Sequence, residues 1–118
     1  MSRDKSRQQL GKMSRQKGKA YEREIARILR EAGFAGARRT AQFCGKTGEA
    51  ADLTGVPGFH IECKRREAIA IYPWMHQAEA EAHEGEIPVV IFRKSREENL
   101  VTMTLNDFLL LAGGKIDG

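Results

Sequence analysis

The sequence predicts a single α/β domain, a mixed central sheet flanked by helices in the order helix, three strands, helix, two strands, helix. Three observations carry that prediction. An apolar stripe at helical spacing opens the folded part of the chain, short segments with period-two alternation follow it, and a Pro-Gly turn joins two of those segments. The segment Ile87-Pro88-Val89-Val90-Ile91-Phe92 is apolar on both faces, as suits a strand in the middle of a helix-covered sheet. A chain of 118 residues, 41% hydrophobic and 31% charged, has material for one such core and none for separate catalytic and specificity domains.

From Lys17 the pattern turns helical. Tyr21, Ile25, Ile28, Leu29 and Ala32 form one stripe, and Gly33 is a natural stop. Ala37 to Phe43 alternates, with Arg38, Thr40 and Gln42 on one face, and reads as a strand. Cys44 to Ala50 reads as a Gly-containing loop. Ala51 to Thr54 begins a second strand that turns through Gly55-Val56-Pro57-Gly58 into a third, Phe59 to Arg65. A second helix is expected from Pro73, which suits a first helical turn, to about Glu84 before Gly85. Ile87 to Phe92 and Leu100 to Leu105 give the last two strands, the latter at an edge. Thr104 with Asp107 three residues on resembles a capping box for a short final helix carrying Phe108, Leu109 and Leu111.

The net charge of +4 is unevenly distributed. Residues 1 to 19 hold seven bases (Arg3, Lys5, Arg7, Lys12, Arg15, Lys17 and Lys19) against Asp4, a net +6, which leaves −2 for the rest. Residues 1–16 therefore read as a basic, flexible arm on a domain spanning 17–118. Such an arm suits phosphate neutralisation, and it equally suits a solvated terminus. No run is long and apolar enough for a membrane span or a signal peptide, and the two cysteines, Cys44 and Cys63, form no CxxC pair. The expectation is a cytoplasmic protein with reduced thiols and no membrane partner. Gly45-Lys46-Thr47 lacks the glycine that a phosphate-binding loop needs five residues earlier, where Thr40 stands, so no nucleotide cofactor is expected.

Chemistry concentrates in the hairpin. Alternation along the third strand puts Phe59, Ile61 and Cys63 on one face and His60, Glu62 and Lys64 on the other. Asp52 lies just before the turn, where a hairpin of this length brings its carboxylate beside Glu62. Two adjacent carboxylates repel, and a hard divalent cation such as Mg²⁺ relieves the repulsion. Lys64 reaches the same place and can orient water or offset phosphate charge. On the first helix, Glu22 and Glu24 lie on opposite flanks of the stripe, each roughly 80° from its centre at 100° per residue, so geometry alone does not choose between them. Lys46 lies in the Gly-containing loop and Gln77 one turn into the second helix, and both suit solvated positions. Trp74 reads as a core or interface anchor. His60, His76 and His83 lack zinc spacing and read as exposed, with His60 on the face of Glu62 and Lys64.

Lys17-Gly18-x-x-x-Glu22-Arg23-Glu24, Gly33-Phe34-Ala35, Arg38, Asp52-Leu53 and Ile61-Glu62-Cys63-Lys64 together resemble the archaeal and phage Holliday-junction resolvases of the PD-(D/E)XK nuclease superfamily. The match spans residues 17 to 65, with one departure at Ala51, where many members have Pro. The resemblance implies a restriction-endonuclease-like fold and Mg²⁺-dependent phosphodiester hydrolysis that leaves 5′-phosphate and 3′-hydroxyl ends, with Mn²⁺ able to substitute. It implies catalytic roles for Glu22, Asp52, Glu62 and Lys64. Asp52, Glu62 and the backbone carbonyl of Cys63 would bind the metal, with Glu22 completing the site in preference to Glu24. The resemblance marks Arg23 and Arg38 as phosphate contacts, joined by Arg15, Lys17, Lys19 and Lys46 as DNA-binding candidates, and makes Gln77 an accessory candidate for holding water or a phosphate. A domain this small points to recognition of DNA shape, branched junctions above all, and symmetric incision of a junction calls for a homodimer. The alternatives are a nuclease of the same superfamily that nicks or trims duplex or flapped DNA, and a non-catalytic DNA-binding accessory protein that keeps the fold. The cellular setting implied is bacterial, archaeal or a phage-infected host.

Overall fold

The first helix, α1, runs from Arg3 to Glu31 in the computed structural model, which describes residues 3–40 and 51–115, with side chains from residue 12 onward except residue 14. It starts well before Lys17, where the apolar stripe begins. The added turns contain Arg, Lys, Gln, Leu and Met and no proline, so helix propensity carries them without an apolar face. Tyr21, Ile25 and Ala26 are buried and Leu29 packs beside them, whereas Ile28 is 38% exposed. The covered face is thus turned toward Ala26 and away from Ile28 and Ala32.

Five strands form one sheet in the order β1-β2-β3-β4-β5: Arg38–Arg39, Leu53–Thr54, Phe59–Arg65, Ile87–Arg93 and Leu100–Thr102. β1, β2 and β3 pair antiparallel, β3 and β4 parallel, and β4 and β5 antiparallel. Helix α2 (Ile71–Glu81) crosses between β3 and β4, and α3 (Leu105–Ala112) follows β5. This is the expected element order, and it is compatible with a restriction-endonuclease-like fold.

Several boundaries differ from expectation. β2 is shorter than Ala51 to Thr54, although the hydrogen bonds Asp52 N–H to Ile61 O and Thr40 N–H to Asp52 O, both 2.9 Å, continue the ladder past its end. β1 is Arg38–Arg39, and Ala41, Gln42 and Phe43 of the expected first strand, with the expected loop carrying Lys46, lie outside the described residues. α2 begins at Ile71, because Pro73 is still within the first turn, where backbone N–H groups have no intrahelical acceptor. It ends at Glu81, and Ala82 is already extended. The last strand stops at Thr102, freeing Thr104 to cap α3 by accepting the Asp107 N–H at 3.1 Å. Gly55, at φ +95°, sits where a Cβ would come within 2.1 Å of the Gly36 carbonyl oxygen, so the β2–β3 turn depends on glycine there.

The sheet separates two apolar clusters. Ile61, Cys63, Val89 and Ile91 pack beneath Tyr21, Ile25 and Ala26 of α1, while Val90 and Phe92 pack against Trp74, Met75 and Ala78 of α2. Alternate residues of β4 feed opposite layers, as its continuous apolar sequence requires. Trp74, 8% exposed, meets the Phe92 ring at 5.7 Å between centroids and an interplanar angle of 57°, which makes it a core anchor. Trp74→Ala is expected to lower stability by about 3–5 kcal/mol, the range for aromatic truncation in a core. Urea unfolding followed by circular dichroism measures it, and a loss below about 1 kcal/mol would mean that α2 is held by other contacts.

Candidate active site

The register Leu53↔Ile61 sets Asp52 opposite Glu62, as the hairpin length suggests. Asp52 Oδ2 accepts the Cys63 backbone N–H at 2.8 Å, fixing the carboxylate against the middle of β3. Glu62 is 2% exposed and has the carboxyl groups of Asp52 and Glu81 beside it. Burial first, then those two neighbours, pushes the Glu62 carboxyl up to about 9. Among the described residues its one partner at ion-pair distance is His60, whose Nε2 lies 3.2 Å from Glu62 Oε1. Burial in turn lowers the affinity of His60 for a second proton. Half-buried Asp52 beside buried Glu62, neither with a Lys or Arg at ion-pair distance among the described residues, fits a divalent cation, because hard oxygen donors and unrelieved negative charge are what such an ion takes.

A stability consequence follows from Glu62. Its folded carboxyl binds a proton that the unfolded chain releases near pH 4.5, so without a cation its contribution is full below about pH 4.5 and is lost as pH rises toward about 9. Melting temperatures in EDTA across that window should fall more steeply for the wild type than for Glu62→Gln. Parallel profiles would contradict the raised pKa of Glu62.

Glu22 and Glu24 separate in the fold. Taking 100° per residue, the covered set Tyr21, Ile25, Ala26 and Leu29 centres about 35° from Glu22 and about 125° from Glu24. Glu22 accepts from Arg39 Nε at 2.9 Å, and its carboxyl is raised by burial and by the charge of Asp52, against the lowering pull of Arg39. Glu24 instead faces Arg93 Nη2 at 3.7 Å, away from Asp52 along the sheet. Lys64 Nζ donates to Gln77 Oε1 at 3.2 Å, and Gln77 Nε2 donates to Glu81 Oε1 at 3.4 Å, so the β3 lysine and the α2 glutamine come together. Arg15, Lys17, Lys19, Arg23 and Arg38 are exposed, and Arg38 lines an open cleft of about 510 Å³ that reaches His60 and Glu86.

Two participants, Glu81 and Arg39, have no role in the sequence reading, and the burial of a third, His60, departs from it. Glu81 is one helical turn after Gln77, a spacing visible in the sequence but hidden among the other glutamates of an Ala/Glu-rich stretch. Arg39, on the strand face opposite Arg38, is the partner of Glu22. His60 is buried at 2%, against the expectation of exposure, because α2 closes over that face of β3, while His76 and His83 are exposed as expected.

Residues 13–113 match the family described as phage putative PDDEXK endonuclease. The chain belongs to this family. It is therefore a nuclease of the PD-(D/E)XK superfamily with DNA as its substrate class, and nucleases of this superfamily generally depend on divalent metal. No curated protein and no solved structure matches the chain. Among the described residues no helix is long and apolar enough to cross a membrane.

Proposed function

We propose that the chain is a Mg²⁺-dependent endodeoxyribonuclease that selects branched DNA by shape and works as a homodimer in a cytoplasmic setting, with Mn²⁺ able to substitute. The observation that carries the hydrolytic reading is the apposition of Asp52 and buried Glu62 with no Lys or Arg beside them among the described residues. Asp52, Glu62 and the Cys63 carbonyl would hold the cation, with Glu22 completing the site. When bound, the cation acts as a Lewis acid toward the phosphate and favours deprotonation of water at neutral pH.

The chain's own residues supply the rest. Lys64, steadied by Gln77, presents an ammonium to the attacked phosphate and orients water for in-line attack, leaving 5′-phosphate and 3′-hydroxyl ends. Asp52 is kept in place by the Cys63 N–H, so its carboxylate does not reorganise during the reaction. Arg23, Arg38 and the basic residues Arg15, Lys17, Lys19 and Lys46 would follow the backbone. Such contacts position a duplex without reading its sequence, which favours shape recognition. A gel comparing four-way, flapped and linear DNA with and without Mg²⁺ tests this reading. Preferential, symmetric cleavage of the four-way substrate supports it, and equal or greater cleavage of linear duplex moves the enzyme to nicking or trimming.

The basic segment is read as part of the DNA grip. Deleting residues 1–15 removes Arg3, Lys5, Arg7, Lys12 and Arg15, and should weaken binding at every DNA structure alike while making its salt dependence shallower. Binding measured across a salt series checks this, and an unchanged slope would show that the segment does not touch DNA.

A further inference from the structure

The seam between β3 and α2 gathers a second group of ligand-type side chains. One ring nitrogen of His60 and one carboxylate oxygen each from Glu62 and Glu81 lie within 4.8 Å of one another. His60 and Glu62 occupy alternate positions of β3 and share a face, and Glu81 closes the last turn of α2 above them. His60 and Glu62 are each 2% exposed. Glu86 adds a further carboxylate, its Oε1 3.9 Å from His60 Nδ1.

With Glu62 ionised, this arrangement leaves a lone-pair clash that a proton or a cation between the groups relieves. A neutral imidazole carries one N–H and one lone pair. Both His60 nitrogens face carboxylates, Nε2 toward Glu62 and Nδ1 toward Glu86, so one of them turns a lone pair toward oxygen lone pairs. Among the described residues no Lys or Arg nitrogen lies within 4.0 Å of the carboxylates of Glu62, Glu81 or Glu86, and Lys64 is held by Gln77. Ligand atoms about 2.1 Å from one divalent ion, at angles of about 95–110°, are about 3.1–3.4 Å apart. The observed 3.2 Å between His60 Nε2 and Glu62 Oε1 has that span.

We propose that His60, Glu62 and Glu81 form a second cation site, selective for a first-row transition ion such as Mn²⁺ over Mg²⁺. It shares Glu62 with the site built on Asp52, and to that extent it rests on the nuclease reading. The selectivity comes from the donor set. Mg²⁺ dehydrates reluctantly and prefers oxygen in a strict octahedron, whereas an imidazole nitrogen in a dry pocket suits transition ions. Glu86 Oε1 accepts the His83 backbone N–H at 2.7 Å and lies 3.9 Å from His60 Nδ1, so a closer approach of this carboxylate would let it accept the Nδ1–H and turn Nε2 to the ion.

Titration of the full chain with Mn²⁺, following the electron paramagnetic resonance signal of the free ion in the absence of DNA, tests the proposal. Two ions per chain are expected. Glu81→Gln should lose one of them or weaken it tenfold or more, as should His60→Gln, and Asp52→Asn should weaken the other. Excess Mg²⁺ should displace Mn²⁺ from the Asp52 site and spare the second. Glu81 is half-buried on a helix surface and its replacement keeps the helix, so that variant decides the matter even where His60→Gln does not fold. A single ion per wild-type chain, or two ions of unchanged affinity in Glu81→Gln, would overturn the second site. The count uses no substrate, so it stands or falls apart from the nuclease reading, which fails only if DNA is not cleaved.

Discussion

Asp52→Asn and Glu62→Gln should each abolish metal-dependent cleavage while leaving DNA binding intact or tighter. Each substitution removes an oxygen donor of the proposed cation site; Asp52→Asn also removes a negative charge that repels phosphate, as does Glu62→Gln where a cation keeps Glu62 ionised, so catalysis falls while affinity holds or rises. For Glu62→Gln the fold should also survive in the absence of metal, because a neutral amide replaces a buried acid that already favours its neutral form. Cleavage rates alongside a binding isotherm in Ca²⁺ or EDTA separate the two effects. Near-native cleavage by either variant would remove Asp52 and Glu62 from the reaction.

Glu22→Gln should slow the cleavage step by about 10²-fold or more, the scale on which one positioned catalytic group counts, while Glu24→Gln should cost little. The difference rests on where α1 lies. Its covered face is turned toward Glu22, whose carboxyl senses Asp52 and is held by Arg39, whereas Glu24 reaches across to Arg93. Single-turnover cleavage with enzyme in excess isolates chemistry from binding. The reverse ranking would mean that the flank facing Arg93 is the working one.

The fold was legible because its signals were redundant. The both-faced apolar run of β4, the Pro-Gly turn before β3 and the Thr104 cap each specify their element locally, and all three stand where expected. Element ends were less legible. Where α1 starts depends on propensity without an apolar stripe, and where α2 starts depends on a proline that the first turn tolerates. At the site, Asp52 opposite Glu62 was readable from loop length and strand period. The choice between Glu22 and Glu24 was not, because it turns on whether Ala26 or Ile28 faces the sheet, and both are apolar. His60 and Glu81 escaped for a related reason. Alternation shows which side chains share a face of β3, but only the docking of α2 determines that this face is closed, and a glutamate in an Ala/Glu-rich helix carries no mark of the turn that meets it.

Cleavage of end-labelled DNA by the purified chain, with Mg²⁺ and then with EDTA, bears most directly on the claim that Asp52 and Glu62 organise a metal-dependent hydrolysis. Products ending in 5′-phosphate and 3′-hydroxyl that form with Mg²⁺, vanish in EDTA and return on adding the ion back are the result expected for the wild type, with no product from Asp52→Asn. Cleavage that persists in EDTA, or that proceeds equally in the Asp52→Asn chain, would contradict it.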